Sequence, residues 1–163
     1  MPTPAERAAN PAARLQHALD LSYRYLGHRD RTVAEIRRHL EAKRVEPATI
    51  DDAVAELHEQ GYLDDARFAQ RFAEDRRTLD DWGAERIERK LRDAGVAREL
   101  IDAALATQSV DEARDAAIDL LRRRLSTPPQ DDRGRERALG LLVRRGYDLE
   151  LAYEAVRAFE RAA

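Results

Sequence analysis

Four pairs of adjacent aspartates are the residues of this chain that most resemble an acid–base pair or a metal site. The pairs are Asp51–Asp52, Asp64–Asp65, Asp80–Asp81 and Asp131–Asp132. All four lie near predicted helix starts, where a carboxylate accepts hydrogen bonds from free backbone amides and favours the positive end of the helix dipole. Adjacent side chains on a helix also point in different directions, which makes a poor catalytic dyad. We therefore expect these aspartates to cap helices, with contact to a partner as the alternative.

Other patterns that carry chemistry are missing from the sequence. The 163 residues include no cysteine, so the chain has no thiolate nucleophile and no thiolate metal ligand. The four histidines, His17, His28, His39 and His58, form no HExxH motif. There is no glycine-rich phosphate loop and no GxSxG nucleophile motif. The sequence therefore predicts a protein that is not an enzyme, with no catalytic residue, no metal and no cofactor.

Basic side chains gather at a few places and are the stronger candidates for a binding function. Arg86, Arg89 and Lys90 share one face of a predicted helix. The remaining candidates, most of which close predicted helices, are Arg76, Arg77, Arg122, Arg123, Arg124, Arg144 and Arg145. One interpretation is a solvated surface, with ion pairs reaching four residues along the helix from Glu85 and from Glu88. The other is contact with acidic patches of a protein or with DNA phosphates, and the sequence leaves both open.

Aromatic residues offer little support for stacking against nucleic-acid bases. Phe68 and Phe72 lie four residues apart, with Ala69 and Ala73 beside them, which predicts packing within a helical core. Trp82 lies in a predicted loop and has two interpretations. It either fills a junction between helices or stands exposed as an interface anchor.

Charge and hydropathy restrict the class of protein further. The formal net charge is −3, with 37% charged and 43% hydrophobic residues, which argues against a protein held on DNA mainly by bulk charge. The first residues lack the apolar run of a signal peptide, and no stretch approaches the ~20 apolar residues of a membrane span. We therefore expect a cytoplasmic protein with no membrane contact.

Apolar residues recur at helical spacing almost throughout, and no segment alternates as a strand does, which predicts an all-α fold. The pattern predicts nine helices, over residues 12–26, 32–43, 48–60, 65–79, 84–94, 97–107, 110–125, 132–145 and 148–161. Thr32 and Glu35 have the spacing of a capping box, and Asp64 and Asp148 are predicted helix caps. The proline-rich first ten residues predict a disordered lead-in.

An internal repeat of 51 residues organises these helices. The offset relates Leu40 to Leu91 and Leu142. Further columns with the same offset are Val45–Val96–Tyr147, Ile50–Ile101–Ala152, Ala53–Ala104–Ala155 and Val54–Leu105–Val156. Gly95 and Gly146 also match, whereas Arg44 breaks their column.

The repeat predicts three tandem three-helix units of helix-turn-helix type. Their expected bounds are 11–62, 63–108 and 109–163, after the lead-in at 1–10. Since units of this size have small cores, we expect them to stack on their neighbours in an elongated, curved arrangement.

Four motifs in this framework resemble those of the RecX regulatory proteins. The stretch GYLDDARFA resembles the family's GYLDD-x-x-FA and contributes Gly61, Tyr62, Leu63, Asp64, Asp65, Phe68 and Ala69. A preceding motif, similar to R-x-x-S-x-x-E-L-x-x-x-L, contributes Arg29, Glu35, Ile36 and Leu40, with Thr32 in place of serine. A following one, similar to G-x-x-R-I-x-x-x-L-x-x-x-G, contributes Gly83, Arg86, Ile87, Leu91 and Gly95. The ending LVRRGY at 142–147 also resembles the family's L-x-x-R-G-[FY].

The resemblance covers residues 14–160 and implies a regulator of RecA. Family members bind in the groove of the RecA–single-stranded-DNA filament and inhibit ATP hydrolysis, strand exchange and LexA cleavage. Such a protein modulates recombination, DNA repair and the SOS response, and we expect it to act as a monomer. Weak DNA contact through the basic helix faces would be compatible with this role. The alternatives are a sequence-independent DNA-binding helical module and a helical adaptor for another protein.

Overall fold

The computed structural model describes Met1 and residues 3–162, without the side chain of Arg7. These residues form ten α-helices, and no strand occurs among them. Pro2 and Ala163, which belong to the predicted segments 1–10 and 109–163, lie outside the described residues. The all-α prediction is confirmed.

The helices follow one another with short connections. They are α1 Pro4–Ala9, α2 Pro11–Leu26, α3 Val33–Ala42, α4 Pro47–Glu59, α5 Asp65–Asp80, α6 Ala84–Asp93, α7 Arg98–Leu105, α8 Val110–Arg124, α9 Asp132–Arg145 and α10 Leu149–Arg161. The helices α2–α10 correspond to the nine predicted ones, with ends that differ by at most two residues.

The N-terminus differs from the prediction, because α1 lies where the proline-rich sequence indicates a disordered lead-in. Thr3 and Glu6 explain this helix. The Glu6 backbone N–H donates to Thr3 Oγ1 at 3.2 Å, and the Thr3 backbone N–H donates to Glu6 Oε2 at 2.7 Å. This reciprocal cap satisfies donors that a six-residue helix cannot satisfy internally.

The predicted caps at Thr32, Asp64 and Asp148 are confirmed. The cap prediction is wrong for Asp80 and Asp81, which lie at the end of α5 and pair with arginines, and for Asp51 and Asp52, which lie inside α4 beyond its first turn. The Glu35 N–H donates to Thr32 Oγ1 at 3.1 Å, and the Glu35 carboxylate accepts from the Thr32 N–H, completing the capping box of α3. Asp64 accepts from the Arg67 N–H at 2.9 Å at the start of α5. Asp148 caps α10 in the same way.

Contacts within the described chain divide it into two compact units. The first consists of residues 1–68 with 94–97, and the second of residues 69–93 with 98–163. The first unit contains α1–α4, and its core consists of Ala18, Leu19, Ile36, Leu40, Ile50, Ala53, Val54, Leu57 and Leu63. The predicted repeat bounds at 62 and 108 stay a prediction.

The second unit contains most of α5 and all of α6–α10. Its largest core cluster consists of Ala117, Leu120, Leu121, Ala138, Leu142, Tyr147, Leu151, Ala152, Ala155, Val156 and Phe159. Ala73, Ile87 and Leu91 are also fully buried in this unit. On the predicted Phe–Ala face of α5 the alanines are fully buried, whereas Phe68 and Phe72 are half-buried.

The 51-residue repeat is visible in the burial and in the backbone. Leu40, Leu91 and Leu142 are all completely buried. The column that Arg44 breaks in sequence is intact in conformation, because Arg44, Gly95 and Gly146 have φ angles of 61°, 80° and 95°. Each of these residues ends the middle helix of its repeat in the left-handed region. Arg44 adopts a conformation that is unfavourable for a residue with a β-carbon.

Candidate partner-binding surface

The segment 80–83, which connects α5 to α6, brings together basic side chains from several helices of the second unit. Arg76 forms an ion pair with the Asp80 carboxylate. Arg145 Nη1 donates to the Asp80 carbonyl oxygen at 2.5 Å. Arg123 donates to both carboxylate oxygens of Asp81, at 2.6 and 3.2 Å. These contacts place the ends of α5, α8 and α9 around one short loop.

The backbone of this loop lies directly against the end of α9. The Gly83 N–H donates to the Arg145 carbonyl at 2.7 Å, and the Glu85 N–H donates to the Gly146 carbonyl at 2.9 Å. A β-carbon on Gly83 would lie 2.4 Å from the carbonyl carbon of Gly146 and from the nitrogen of Tyr147. Only glycine permits this approach. Free donors at the start of α6 and free acceptors at the end of α9 therefore satisfy each other.

Trp82 is half-buried against cationic and aromatic neighbours. The Arg86 guanidinium carbon lies 4.2 Å from the ring centroid, and that of Arg76 lies 5.8 Å away. The Phe72 ring packs edge-on, with 6.2 Å between centroids. Trp82 thus packs within the second unit, and part of its surface stays accessible.

Four basic residues, which we call the basic face, lie together: Arg89, Lys90 and Arg144 are exposed, and Arg86 is half-buried. Arg86 Nη1 donates to the Arg144 carbonyl at 3.2 Å, which places these two residues together. Arg89 and Lys90 are exposed one turn further along α6. Within the described residues, no carboxylate lies in ion-pair distance of Arg89, Lys90 or the Arg144 side chain.

The ion pairs expected along α6 do not form. Glu88 pairs with Arg98 at the start of α7, and no Glu85–Arg89 pair occurs in the described chain. Glu88 pairs with Arg98 because the turn after α6 places the start of α7 beside α6. Arg89, Lys90 and Arg144 are therefore available to another molecule, whereas Arg86 packs on Trp82.

Three other predicted contact residues have different surroundings. Arg77 is half-buried and donates to the Leu105 carbonyl at 3.1 Å and to Thr107 Oγ1 at 2.9 Å, so it stabilises the end of α7. Burial is the main reason that the Arg77 pKa is lowered. Arg122 pairs with Asp119 on the surface of α8. Arg124 is exposed beside the Arg123–Asp81 pair.

The pKa of the Asp81 carboxyl reflects these cations. The pKa of Asp81 is lowered, chiefly by its hydrogen bonds from Arg123 and further by the positive charges of Arg145 and Arg124. Burial raises the pKa of Tyr147 to about 12, and the Asp81 charge adds to this shift. The Asp80–Asp81 pair thus neutralises Arg76 and Arg123 and lies among basic groups.

The motif residues of the first unit form a hydrogen-bonded network at the start of α3. Arg29 donates from both terminal nitrogens to the Glu35 carboxylate, at 3.0 and 3.1 Å. Thr32 Oγ1 donates to the Ala94 carbonyl at 2.6 Å. Asp65 Oδ1 accepts from the Val33 N–H at 3.0 Å. The motif therefore holds the start of α3 in place.

The paired aspartates of the GYLDD stretch have separate structural roles. Asp64 caps its own helix, α5, whereas Asp65 caps α3. Burial is the main cause that raises the Asp65 pKa, while the hydrogen bond from Val33 opposes the shift. The sequence predicts a cap from this pair but does not indicate that Asp65 serves a helix 32 residues away.

The internal repeat of the sequence relates these contacts to a second set in the following repeat. Adding 51 to Thr32 and Ala94 gives Gly83 and Arg145, which are also hydrogen-bonded to each other. Each pair joins the start of a middle helix to the turn of the following repeat. The side-chain hydroxyl of Thr32 serves the first junction, and the backbone N–H of Gly83 serves the second.

In the part of the chain that the structure describes, no three His, Asp or Glu side chains gather closely enough to hold a metal ion. Over the same residues, no helix combines the length and the apolar character needed to span a bilayer.

Comparison with known proteins gives consistent matches. A family model described as RecX, first three-helix domain, matches residues 18–57, and one described as RecX, second three-helix domain, matches residues 64–105. The Regulatory protein RecX of Cronobacter sakazakii is 34% identical over 156 residues, which cover 87% of this chain and 92% of the relative. The Regulatory protein RecX of Stenotrophomonas maltophilia is 35% identical over 158 residues, which cover 96% and 93%.

A solved structure supports the fold. The crystal structure of RecX from Lactobacillus salivarius is 16% identical in sequence and matches with a TM-score of 0.81, over 92% of this chain and 99% of that chain. At this identity the likeness concerns the helical architecture alone.

Proposed function

Because the chain belongs to the RecX family of regulatory proteins, we propose that it binds the RecA filament on single-stranded DNA and inhibits RecA. The inhibited activities are ATP hydrolysis, strand exchange and LexA cleavage. The protein binds in the filament groove, catalyses no reaction and acts as a monomer in the cytoplasm.

The observation that carries this proposal beyond family membership is the basic face. Arg89, Lys90 and Arg144 are exposed without a carboxylate partner in the described residues, whereas Arg123 is neutralised by Asp81. Uncompensated cations on a rigid helix suit contact with acidic groups of a partner. In the filament groove these groups are acidic side chains of RecA or phosphates of the bound strand.

A DNA-binding module is the second candidate, since the fold repeats a helix-turn-helix arrangement. In such modules the last helix of the unit enters the major groove. Here that helix in the first repeat is α4, which contains no lysine or arginine and carries Asp51, Asp52, Glu56 and Glu59. Its charge opposes an approach to phosphates, and this disfavours DNA as the primary partner.

The test of the proposed function uses RecA filaments directly. RecA, single-stranded DNA and ATP are mixed with substoichiometric amounts of the full chain, and ATP hydrolysis and LexA cleavage are followed. We expect both rates to fall. Unchanged rates would contradict the proposal. A chain that binds bare DNA as tightly as filaments, with strong salt dependence, would favour the DNA-binding module.

Charge reversal tests the basic face. The double variant Arg89→Glu, Lys90→Glu should weaken filament binding, because two exposed attractive charges become repulsive. The matched control is Arg133→Glu, Arg137→Glu, which changes the net charge equally at two exposed residues of α9. If both double variants bind alike, the basic face is a solvated surface without a binding role.

A further inference from the structure

Tyr62 is the one side chain of the GYLDD stretch that neither enters the core nor caps a helix. Leu63 is buried, and the carboxylates of Asp64 and Asp65 cap helices. The Tyr62 side chain is 55% exposed. Apart from Met1, it is the only large apolar residue exposed to this degree in the described part of the first unit.

The turn that follows α4 forces this exposure. Gly61 has a φ of 80°, and the N–H groups of Tyr62 and Leu63 donate to the Leu57 carbonyl at 2.9 and 3.3 Å. This closure directs Leu63 into the core and leaves Tyr62 at the surface. The Tyr62 ring rests against Tyr23, with 5.5 Å between centroids, so it is held in place before any partner arrives. An ordered aromatic ring loses little entropy on binding.

A fixed positive charge lies beside this ring. Arg67 Nη2 donates to the Gly61 carbonyl at 2.7 Å, which holds the guanidinium near the turn. No carboxylate of the described residues forms an ion pair with Arg67. Together with Tyr23, Leu26 and Asp30, these residues line an open groove of 330 Å³. The groove therefore combines an exposed aromatic surface with one guanidinium that the fold leaves without an ion-pair partner among the described residues.

We propose that Tyr62 and Arg67 form a second protein-binding surface, which receives an apolar side chain of the partner followed by a carboxylate. The apolar side chain packs on the Tyr62 ring, and the carboxylate pairs with Arg67. This inference rests on the proposed function in naming the RecA filament as the partner. A protein segment fits better than a nucleic-acid strand, because Arg67 is the one basic residue among those that line the groove, whereas a strand presents a phosphate at every nucleotide.

The experiment measures the affinity of variants for RecA filaments assembled on single-stranded DNA with a non-hydrolysable ATP analogue. We expect Tyr62→Ser to weaken binding by about tenfold or more, as removal of a central aromatic anchor does. Tyr62→Phe should bind nearly as the parent chain does, because the ring remains. Arg67→Glu should also weaken binding, since it reverses the fixed charge.

The matched control is Tyr153→Ser, which removes a tyrosine of α10 that is 47% exposed. It should leave the affinity unchanged, and circular dichroism should show equal helicity for all variants. If the parent chain binds filaments but Tyr62→Ser binds equally well, this inference fails while the proposed function stands. A parallel loss of affinity for bare single-stranded DNA would identify a nucleic-acid occupant and also overturn it. A parent chain without filament affinity would remove the proposed function itself.

Discussion

Replacing Gly83 by alanine should destabilise the second unit strongly, although it adds a single methyl group. That group would lie 2.4–2.5 Å from backbone atoms of Gly146 and Tyr147, which cannot rotate away as a side chain can. The start of α6 and the end of α9 must then separate. The hydrogen bonds from Gly83 to Arg145 and from Glu85 to Gly146 would lengthen or break.

The magnitude follows from these contacts. Two backbone hydrogen bonds contribute about 1 kcal/mol each, and forced overpacking costs about 1–3 kcal/mol. The lower entropy of the unfolded alanine chain offsets roughly 0.4–1 kcal/mol. We therefore expect the free energy of unfolding to fall by about 2–4 kcal/mol. With a urea dependence of about 2 kcal/mol per molar, the midpoint should fall by about 1–2 M.

Trp82, the only tryptophan of the chain, adjoins the substituted residue and reports unfolding of this unit by its fluorescence. The matched control is Gly140→Ala in α9, where the new methyl group would meet only the flexible end of the Arg144 side chain. This control should gain up to about 1 kcal/mol from helix propensity. If Gly83→Ala unfolds at the same urea concentration as the parent chain, the close backbone junction does not exist in solution.

Three further substitutions test the first unit through thermal and urea unfolding followed by circular dichroism. Arg44→Gly should stabilise it by about 0.5–1 kcal/mol, because glycine adopts a positive φ without strain; a loss of stability would contradict the left-handed turn. Thr32→Val should cost about 2 kcal/mol, since it removes both a helix cap and the hydrogen bond to Ala94; a neutral result would refute that junction. The raised pKa of Asp65 means that the folded state binds its proton more readily, so this group's contribution to stability falls as the pH rises through the folded pKa. Asp65→Asn should remove that part of the pH dependence, measured from pH 3 to 7, and an unaltered profile would show that Asp65 does not titrate abnormally.

The sequence was most informative where a residue's own helix determines its role. The apolar spacing located nine helices, and Asp64 and Asp148 were identified as caps because the amides they bind lie three residues away. The helix α1 was missed, since the prolines at 2 and 4 outweighed the local Thr3–Glu6 cap. Side-chain periodicity therefore predicts the all-α architecture but not a helix that depends on one reciprocal hydrogen bond.

Contacts between distant residues were less accessible. The sequence assigned Arg77 to a contact surface because it is basic and lies near a helix end, whereas the structure uses it to bind carbonyls at the end of α7. The ion pair expected from Glu88 along its own helix does not form, because its partner is Arg98 on the other side of the turn. The sequence shows that a residue is basic, but it does not show whether its charge is paired within the fold or is free to bind a partner. Arg89 and Lys90 become distinctive only when the partners of their neighbours are known.

The two junctions of the 51-residue repeat explain why so many motif residues have structural roles. At the first junction a threonine hydroxyl reaches the Ala94 carbonyl, and at the second the Gly83 backbone reaches the Arg145 carbonyl at shorter range. Residues that form these junctions stabilise the fold. Their replacement should lower the stability of the chain before it affects partner binding. Recognition must then depend on side chains that the junctions leave unused. By that criterion Tyr62 in the first unit, and Arg89 and Lys90 in the second, are the residues whose replacement should reduce filament binding without unfolding the chain.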